Sequence, residues 1–307
     1  MSVLPIHDVL RQPAMQNREG SMQQVHGTGT GNAMKSFHYT KWDPNGNTTL
    51  FFPDDVPASC RPSAEETAQA LACDQLNAEQ AGFAGCARRH LRMAGGEFCV
   101  NATLAFGAHL DRLSDADGSD PRRYAVTVSG WPGEIGLAVK GEAPLWQVAA
   151  DLTLPRTSLM EAMARDIVLV RLPGISHLLV HASSSLPENL KEAGLAYLTE
   201  YKLLEEDAAG VIFWKETEAG GMCSSLSIWP VVRVRAVNTL YEETSCGSGS
   251  LALACLKYLK DQQSLSSVLQ PGGARLGIEL AEESEAALKA RVSGQVRLVE
   301  EGDWKAG

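Results

Sequence analysis

The chain has 307 residues, of which 44% are hydrophobic and 21% are charged, a globular composition long enough for two domains of ordinary size. Its formal net charge of −10 argues against a nucleic-acid partner, because phosphate binding requires clustered Lys and Arg side chains. No apolar run approaches the roughly 20 residues that span a bilayer, and no signal-peptide pattern opens the chain, so we expect a cytoplasmic protein without a membrane partner.

Residues 1–34 are polar and rich in Gln and Gly, a composition that predicts a flexible extension. Regular structure is expected from residue 35. The segment 63–77 is amphipathic, and Ser63 followed three residues later by Glu66 is typical of a capping box at a helix N-terminus. The other elements predicted in the first half are strands over 35–42, 48–52 and 87–93, a buried helix over 101–110, and a hairpin with strands over 124–129 and 134–140.

The second half repeats this style of short strands with one apolar helix. That helix is predicted over residues 250–260, and a further helix is predicted near 187–204. Strands are predicted over 175–181, 210–215, 231–237, 277–280 and 296–299. Short strands therefore dominate both halves of the chain.

The chain contains seven cysteines, an odd number without an export signal, which predicts reduced thiols. Their spacing matches neither a zinc site nor a CxxC redox motif, so we expect no metal ion. A cysteine beside small residues is most often a buried structural thiol. This is our interpretation of five of the seven, namely Cys60, Cys73, Cys86, Cys223 and Cys255.

The other two, Cys99 and Cys246, each stand just before an apolar helix, in stretches that resemble one another (FCVNATLA and SCGSGSLA). A helix N-terminus presents unpaired N–H groups and a partial positive charge. It favours the thiolate form of a cysteine and binds an anion such as a carboxylate. Two such termini facing each other would hold one α-carboxylate, with a sulfur on each face of the α-carbon.

That arrangement is suited to the racemisation of an amino acid. One thiolate removes the α-proton while the opposite thiol delivers a proton to the other face. N–H groups aimed at the carboxylate stabilise the charge that develops on its oxygens, and exclusion of water strengthens those contacts. This scheme requires no cofactor, and its only partner is a small amino-acid substrate.

The two cysteine motifs, GEFCVNAT at residues 96–103 and SCGSG at 245–249, resemble those of the diaminopimelate-epimerase-like superfamily. The chain is more closely similar to the cofactor-independent histidine racemases of opine metallophore (staphylopine-type) biosynthesis. Supporting stretches follow in the family's order, at residues 44–48, 79–83, 270–273 and 293–296.

The resemblance implies an α/β (α+β) fold of two similar domains, each a β-barrel-like sheet around a central helix, with the active site in the cleft between them. The first domain would comprise residues 35–135 together with the last strands, 291–307, and the second would comprise residues 136–290. The resemblance assigns the two-base roles to Cys99 and Cys246. It also implies a substrate pocket in which N–H groups near Val100, Asn101, Gly247 and Ser248 hold the α-carboxylate and Asn47, Glu79 and Gln80 line the wall.

Three departures from the family pattern bear on the substrate. Val100 stands where the family usually has Gly. The run YEET at 241–244 lacks the Glu-Arg pair of diaminopimelate epimerases, and GISH at 174–177 replaces their Gly-Asn-Pro-His segment. The last two departures count against diaminopimelate, whose distal charged end needs dedicated partners. Glu242 and Glu243 precede the second cysteine, and we expect one of them, Glu243 in our assignment, to hold the α-amino group while the other is solvated. His177, among apolar residues, is interpreted as a core histidine.

The sequence therefore favours a cofactor-independent racemase that converts L-histidine to D-histidine, with Glu79 meeting the imidazole ring. Several alternatives stay open. The chain could be a diaminopimelate or proline-type epimerase of the same superfamily, a non-catalytic amino-acid-binding protein with this fold, or a thiol peroxidase or redox sensor. Glu79 could instead be a solvated carboxylate at a helix end, and whether the chain forms a homodimer is open.

Overall fold

The computed structural model describes residues 35–114, 119–157, 159–183, 185–219 and 223–306. For residues 217–219 and 223–225 it describes the backbone alone. These residues belong to one compact unit. The predicted extension, residues 1–34, lies outside the described residues, as does the side chain of Cys223. In the part of the chain that is described, no helix is long and apolar enough to cross a membrane.

Among its described residues, the first half of the chain forms seven strands and two α-helices. They are β1 (Ser36–Pro44), β2 (Thr49–Pro53), α1 (Ala64–Leu71), β3 (Gln80–Gly85), β4 (His90–Met93), α2 (Val100–Leu113), β5 (Arg122–Val128), β6 (Glu134–Glu142) and β7 (Leu145–Pro155). The predicted capping box is confirmed: Ser63 Oγ accepts a hydrogen bond from the Glu66 N–H, and the Glu66 carboxylate accepts one from the Ser63 N–H. α1 ends at Leu71, before the predicted residue 77, and the turn that follows it includes Asn77 in a left-handed conformation.

Most other predictions for the first half are confirmed, namely β1, β2, the β5–β6 hairpin and the buried helix α2. The strand predicted over 87–93 begins only at His90. The preceding residue, Arg89, has a φ of 49° and ends a turn, so the ladder cannot extend further back. Strands β3 and β7 were not predicted.

These seven strands and the last strand of the chain, β16 (Ala287–Lys305), close into a ring around α2. The strand order is β1-β2-β3-β4-β5-β6-β7-β16, and β16 also pairs with β1. α2 fits this interior because it carries no charged residue before Asp111, and every residue from Val100 to Leu110 is buried. The first half is therefore a closed barrel-like sheet with a helix at its centre.

The second half forms an open sheet around a second helix. Its elements are β8 (Met160–Ala164), β9 (Ile167–Leu172), β10 (Ile175–His181), α3 (Leu190–Glu200), β11 (Ala208–Ala219), β12 (Cys223–Val234), β13 (Thr239–Glu242), α4 (Gly247–Asp261), β14 (Ser267–Leu269), β15 (Arg275–Ser284) and β16. From β16 the order continues β15-β14-β12-β11-β10-β9-β8, with β13 beside β12. Among the described residues β8 pairs with β9 alone, so this sheet is open at β8. α4 is buried from Gly247 to Lys257.

The helix predicted over 250–260 and the strands predicted near 175, 210, 277 and 296 are confirmed. The helix predicted near 187–204 is the shorter α3. The strand predicted over 231–237 ends at Val234, because the following residues form a turn with Asn238 at a φ of 49°. Strands β8, β9, β13 and β14 were not predicted.

The shared strand β16 joins the two halves of the sheet. It pairs with β7 from Ala287 to Arg297 and with β15 along its other edge. The predicted domain boundary between residues 135 and 136 falls inside β6, which pairs with β5 and β7 on its two sides. The division into two domains therefore stays a prediction, whereas the enclosure of α2 and of α4 by successive parts of one sheet is observed.

Candidate active site

The same local structure occurs at the start of α2 and of α4, with a cysteine as the N-cap of each helix. Cys99 Sγ accepts a hydrogen bond from the Ala102 N–H at 3.4 Å, and Cys246 Sγ accepts one from the Gly249 N–H at 3.3 Å. Both cysteines have extended backbones, with φ/ψ of −124°/114° and −131°/102°. The resemblance between the two sequence stretches is therefore a resemblance between two capping structures.

A hydroxyl three residues after Val100 or Gly247 secures each cap. Thr103 Oγ1 donates to the carbonyl of Cys99, and Ser250 Oγ donates to that of Cys246, both at 2.7 Å. The backbone N–H groups of the same two residues donate to the same carbonyls at 3.0 Å. In the first turns of α2 and α4, four N–H groups have no hydrogen bond within the described part of the chain. They belong to Val100, Asn101, Gly247 and Ser248.

The two helix N-termini are in contact. A Cβ atom added to Gly247 would lie 2.7 Å from Asn101 Oδ1 and 2.7 Å from Val100 Cβ, so only glycine fits there. Asn101 Nδ2 donates across the contact to the carbonyl of Ser245 at 2.8 Å, and Asn47 Nδ2 donates to the same oxygen at 3.0 Å. The four free N–H groups therefore lie close together at this junction.

A narrow cavity opens at the junction. Of the predicted site residues, all but Glu79 line it: Asn47, Gln80, Cys99, Val100, Asn101, Glu243, Cys246, Gly247 and Ser248. The lining also includes residues that were not predicted, namely Glu97, Phe98, Ile175, Val232 and Val234. A wider cleft at the other end of α2, beside Asp111 and Arg122, contains no cysteine and no histidine.

Glu79 lies in an adjoining narrow cavity, which shares Gln80, Glu97, Val232, Val234 and Glu243 with the first. Its carboxylate accepts hydrogen bonds from Thr244 Oγ1 at 2.6 Å and from the Thr244 N–H at 3.3 Å. Thr244 Oγ1 is also within 2.5 Å of the carbonyl of Gly46. Glu79 is thus a link between the two halves of the chain at the cavity rim, and its interpretation as a freely solvated carboxylate is wrong.

Burial controls the protonation of the two sulfurs. It raises the pKa of Cys99 to about 12, and the nearby carboxyls of Glu243 and Glu97 add to the shift. Burial raises the pKa of Cys246 well above its usual value, again with a contribution from Glu243. The expectation that the helix N-termini keep a resting thiolate is therefore wrong for the empty cavity, because desolvation outweighs the N–H groups.

Burial also keeps protons on two carboxyls of the cavity. It raises the pKa of Glu243 to about 8, against the lowering effect of hydrogen bonds to the side chains of Cys246 and Asn47. It raises the pKa of Glu97 to about 7, against the backbone N–H groups of Glu97 and Gly95. Burial likewise raises the pKa of Glu79. Among the described residues, no Lys, Arg or His lines either cavity, so a cationic ligand suits them.

Three further side chains position the cysteines. Gln80 Oε1 accepts a hydrogen bond from the Cys99 thiol at 3.0 Å, and Gln270 Oε1 accepts one from the Cys246 N–H at 2.9 Å. His177 is fully buried, as expected of a core histidine, but its Nε2 lies 2.8 Å from Ser248 Oγ, which is 3.6 Å from Cys246 Sγ. Burial lowers the pKa of His177 to about 3, so the ring is neutral.

Sequence reasoning missed Glu97 and Gln270 as site residues, although both lie inside motifs that carried the family resemblance. Glu97 is two residues before the first cysteine, and Gln270 opens the QPGG stretch. A carboxylate so close to a candidate nucleophile is a sequence signal for a site residue, because ionisable groups with shifted pKa values cluster at functional sites. The contact between Gln270 and Cys246 joins distant segments and has no local signature.

A protein-family model of the histidine racemase CntK N-terminal domain matches residues 36–304 of the chain. A histidine racemase of Fusobacterium nucleatum subsp. nucleatum is 29% identical over 277 residues, which cover 86% of this chain and 95% of that protein. A histidine racemase of Staphylococcus aureus is 23% identical over 279 residues, which cover 86% of this chain and 96% of that protein.

Solved structures with the same fold include a hydroxyproline epimerase from Agrobacterium vitis with bound trans-4-hydroxy-L-proline. Its TM-score is 0.56 at 10% identity, covering 88% of this chain and 93% of that one. A predicted epimerase of Pseudomonas aeruginosa has a TM-score of 0.55 at 15% identity, covering 87% and 99%. These likenesses confirm the predicted mixed α/β fold with a barrel-like sheet.

Proposed function

Because this chain belongs to the family of the histidine racemase CntK N-terminal domain, and is an amino-acid racemase or epimerase, we propose that it interconverts L- and D-histidine. The proposed mechanism is a two-base proton transfer by Cys99 and Cys246 without a cofactor. The observation that carries this proposal is the pair of cysteine N-caps on two helix N-termini that meet at the wall of one cavity.

The α-carboxylate of the substrate binds at the junction of the two helices. The N–H groups of Val100, Asn101, Gly247 and Ser248 have no other partner there. A carboxylate oxygen held by such groups satisfies them and meets the positive ends of two helix dipoles. This fixes the α-carbon between the two helices and therefore between their capping sulfurs.

The α-ammonium group binds to Glu243. This carboxyl is buried beside Cys246 and Asn47, and no basic side chain of the cavity competes for it. A cation at this position favours the ionised form of Glu243 and lowers the pKa of the neighbouring thiol. The proton of one thiol is then released to solvent as the cavity fills, so that a thiolate forms only with the substrate in place.

The chemical step exchanges one proton for another at the α-carbon. The thiolate takes the α-proton, and the electron pair of the broken C–H bond stays on the substrate. The thiol on the opposite face gives its proton to the α-carbon, and the two sulfurs end with their protonation states exchanged. Negative charge that spreads onto the carboxylate in the transition state is stabilised by the four N–H groups.

The charges of the two cavities favour histidine over diaminopimelate. The distal end of diaminopimelate carries a carboxylate, and the linings offer Glu79, Glu97 and Glu243 but no cation to meet it. An imidazole ring has an N–H donor, and it carries a positive charge when it binds a second proton. The ring therefore complements an acidic and partly apolar wall.

The test is α-proton exchange in heavy water, followed by proton NMR with a panel of L-amino acids. We expect L-histidine to lose its α-proton signal and chiral chromatography to show D-histidine. If diaminopimelate or proline exchanges its α-proton and histidine does not, the activity is that of the corresponding epimerase. Tight binding of an amino acid without any exchange would identify a non-catalytic binding protein and overturn the proposal.

A further inference from the structure

Glu97 is a buried carboxyl with an unused acceptor. It follows β4 and precedes α2, and its side chain lines both cavities. Only 7% of the residue is exposed, and its Oε2 atom has no hydrogen-bond partner among the described residues. A buried acceptor without a partner is unfavourable in the empty protein, and a ligand that donates to it recovers that loss.

The other two carboxyls of the cavities are already engaged. Glu79 accepts two hydrogen bonds from Thr244, and Glu243 contacts the side chains of Cys246 and Asn47. Neither has an unpartnered buried oxygen. If Glu243 holds the α-ammonium group, Glu97 is the carboxyl left to meet the side chain of the substrate.

The surroundings of Glu97 suit a small heteroaromatic ring. Val232 and Val234 line both cavities together with it, and Phe98 lies next to it in the lining of the first. These apolar side chains can cover the faces of a ring while its edge donates to the carboxyl. The apolar walls also exclude water, which would otherwise satisfy Oε2 in the absence of a ring N–H.

We propose that Glu97 determines which side chain the enzyme accepts, by accepting a hydrogen bond at Oε2 from an N–H group of the imidazole ring. This inference rests on the proposed function and assigns the role first expected of Glu79 to a different residue. Glu97 acts here as a specificity-determining residue and takes no part in moving the α-proton.

Discrimination follows from the cost of leaving the carboxyl unpaired. A substrate with a ring of the same size but no N–H group fills the space and leaves Oε2 without a donor, so it binds poorly in both the ground state and the transition state. 3-(2-Thienyl)-L-alanine is such a probe. We expect the unmodified protein to prefer L-histidine over it by roughly 10- to 100-fold in kcat/KM, the range for a hydrogen bond to a charged group.

The decisive experiment measures this preference in Glu97→Gln and Glu97→Leu, with Glu79→Gln and the exposed Glu279→Gln as comparisons. Both Glu97 variants should raise KM for histidine and reduce the preference over thienylalanine towards one. Their kcat should not fall in parallel, because Glu97 takes no part in moving the α-proton. Glu279→Gln should match the unmodified protein.

An unchanged preference in a folded Glu97 variant, checked by thermal unfolding, would overturn the assignment. A loss of preference in Glu79→Gln alone would return the role to Glu79. Racemisation of histidine by the unmodified protein would persist in both cases, so the proposed function would stand. If the Glu97 variants do not fold, strong turnover of thienylalanine by the unmodified protein would equally contradict the proposal, and absence of all α-proton exchange would reject the racemase itself.

Discussion

The two cysteine caps have the same backbone and different neighbours. Cys99 faces the amide of Gln80 and retains partial exposure to the cavity, whereas Cys246 is 3% exposed and contacts Glu243 and Ser248. The first cap is held inside a closed ring of strands and the second inside an open sheet. The cysteine-capped helix N-terminus thus occurs in both halves of the chain. The side chains that shift the pKa of each sulfur differ between the halves.

This comparison suggests how one site handles two mirror-image substrates. In the proposed mechanism each enantiomer presents its α-hydrogen to a different sulfur, so the site needs two equivalent backbone frames but not two equivalent environments. We expect the amide beside Cys99 and the carboxyl beside Cys246 to give the two proton transfers different barriers. Four comparisons between variants can test how far this equivalence extends.

The largest effect is expected from removing either sulfur. Cys99→Ser and Cys246→Ser should each reduce racemisation by about 100- to 10,000-fold, because a serine hydroxyl is a far weaker acid than a thiol and does not ionise to act as the base. Each variant should still exchange the α-proton of one enantiomer, and the surviving enantiomer should differ between the two. Chiral analysis and proton NMR in heavy water measure both quantities.

Cys255→Ser is the matched control, because Cys255 is fully buried within α4 and does not line the cavity. It should lower stability rather than turnover. Near-normal racemisation by either Cys99→Ser or Cys246→Ser would reject the two-base mechanism.

A second comparison exchanges the residues that follow the two cysteines. Gly247→Ala should destabilise the protein by about 1–3 kcal/mol, since its Cβ atom would overlap Val100 and Asn101. Val100→Gly, at the equivalent position of α2, should be tolerated better. In the double variant the smaller residue 100 should relieve part of the overlap. Thermal unfolding of the unmodified protein, the two single variants and the double variant measures the coupling between the two positions. Strict additivity would show that the two helix ends are not in contact.

A third comparison concerns the pH dependence of stability. The pKa of Glu243 is raised to about 8 and that of Glu97 to about 7, so both are protonated in the folded state where an unfolded carboxyl, with a pKa of about 4.3, is ionised. The stability linked to these protons is fully present below the unfolded pKa and is lost as the pH rises through the folded values.

Unfolding temperatures should therefore fall between about pH 5 and pH 9. Glu243→Gln should flatten this profile more than Glu97→Gln, because the pKa of Glu243 is shifted further. Glu79, Glu97 and Cys246 all face Glu243, so the pH profile reports the titration of these four side chains together and not that of Glu243 alone. A profile that neither substitution changes would show that these carboxyls are ionised in the folded protein.

The smallest effect is expected at the hydroxyls that secure the caps. Thr103→Ala should cost about 1 kcal/mol of stability through the lost bond to the Cys99 carbonyl. Ser250→Ala should cost more, because Ser250 Oγ also accepts a hydrogen bond from Gln270 at 2.8 Å. Urea unfolding of the two variants compares them, and a larger loss in Thr103→Ala would contradict this ranking.

Sequence reasoning succeeded where structure is set locally. The capping box of α1, the apolar runs of α2 and α4 and the β5–β6 hairpin all leave a pattern in neighbouring residues. β3 has the sequence QAGFAG, and Gly and Ala are poor strand formers, so its pairing with β2 could not be predicted from composition. The same holds for β14, a strand of three residues.

The candidate site shows the same limit. The positions of Cys99 and Cys246 followed from motifs, but the raised pKa of each sulfur depends on burial by distant segments. The engagement of Glu79 by Thr244 joins residues from opposite halves, so the sequence could not decide between a substrate-binding and a solvated carboxylate. The unpaired Oε2 of Glu97 is likewise visible only once the surrounding chain is in place.

The shared strand β16 has a consequence for synthesis of the protein. Its residues from Val296 to Lys305 pair with β1, near the start of the described chain, and its earlier residues pair with both β7 and β15. While the chain is still emerging from the ribosome, β1 and β7 each present an edge with unpaired N–H and C=O groups, and such edges promote aggregation. The barrel can close only after β16 has been translated, so a chain that stopped near residue 290 would leave both halves without most of the strand they share.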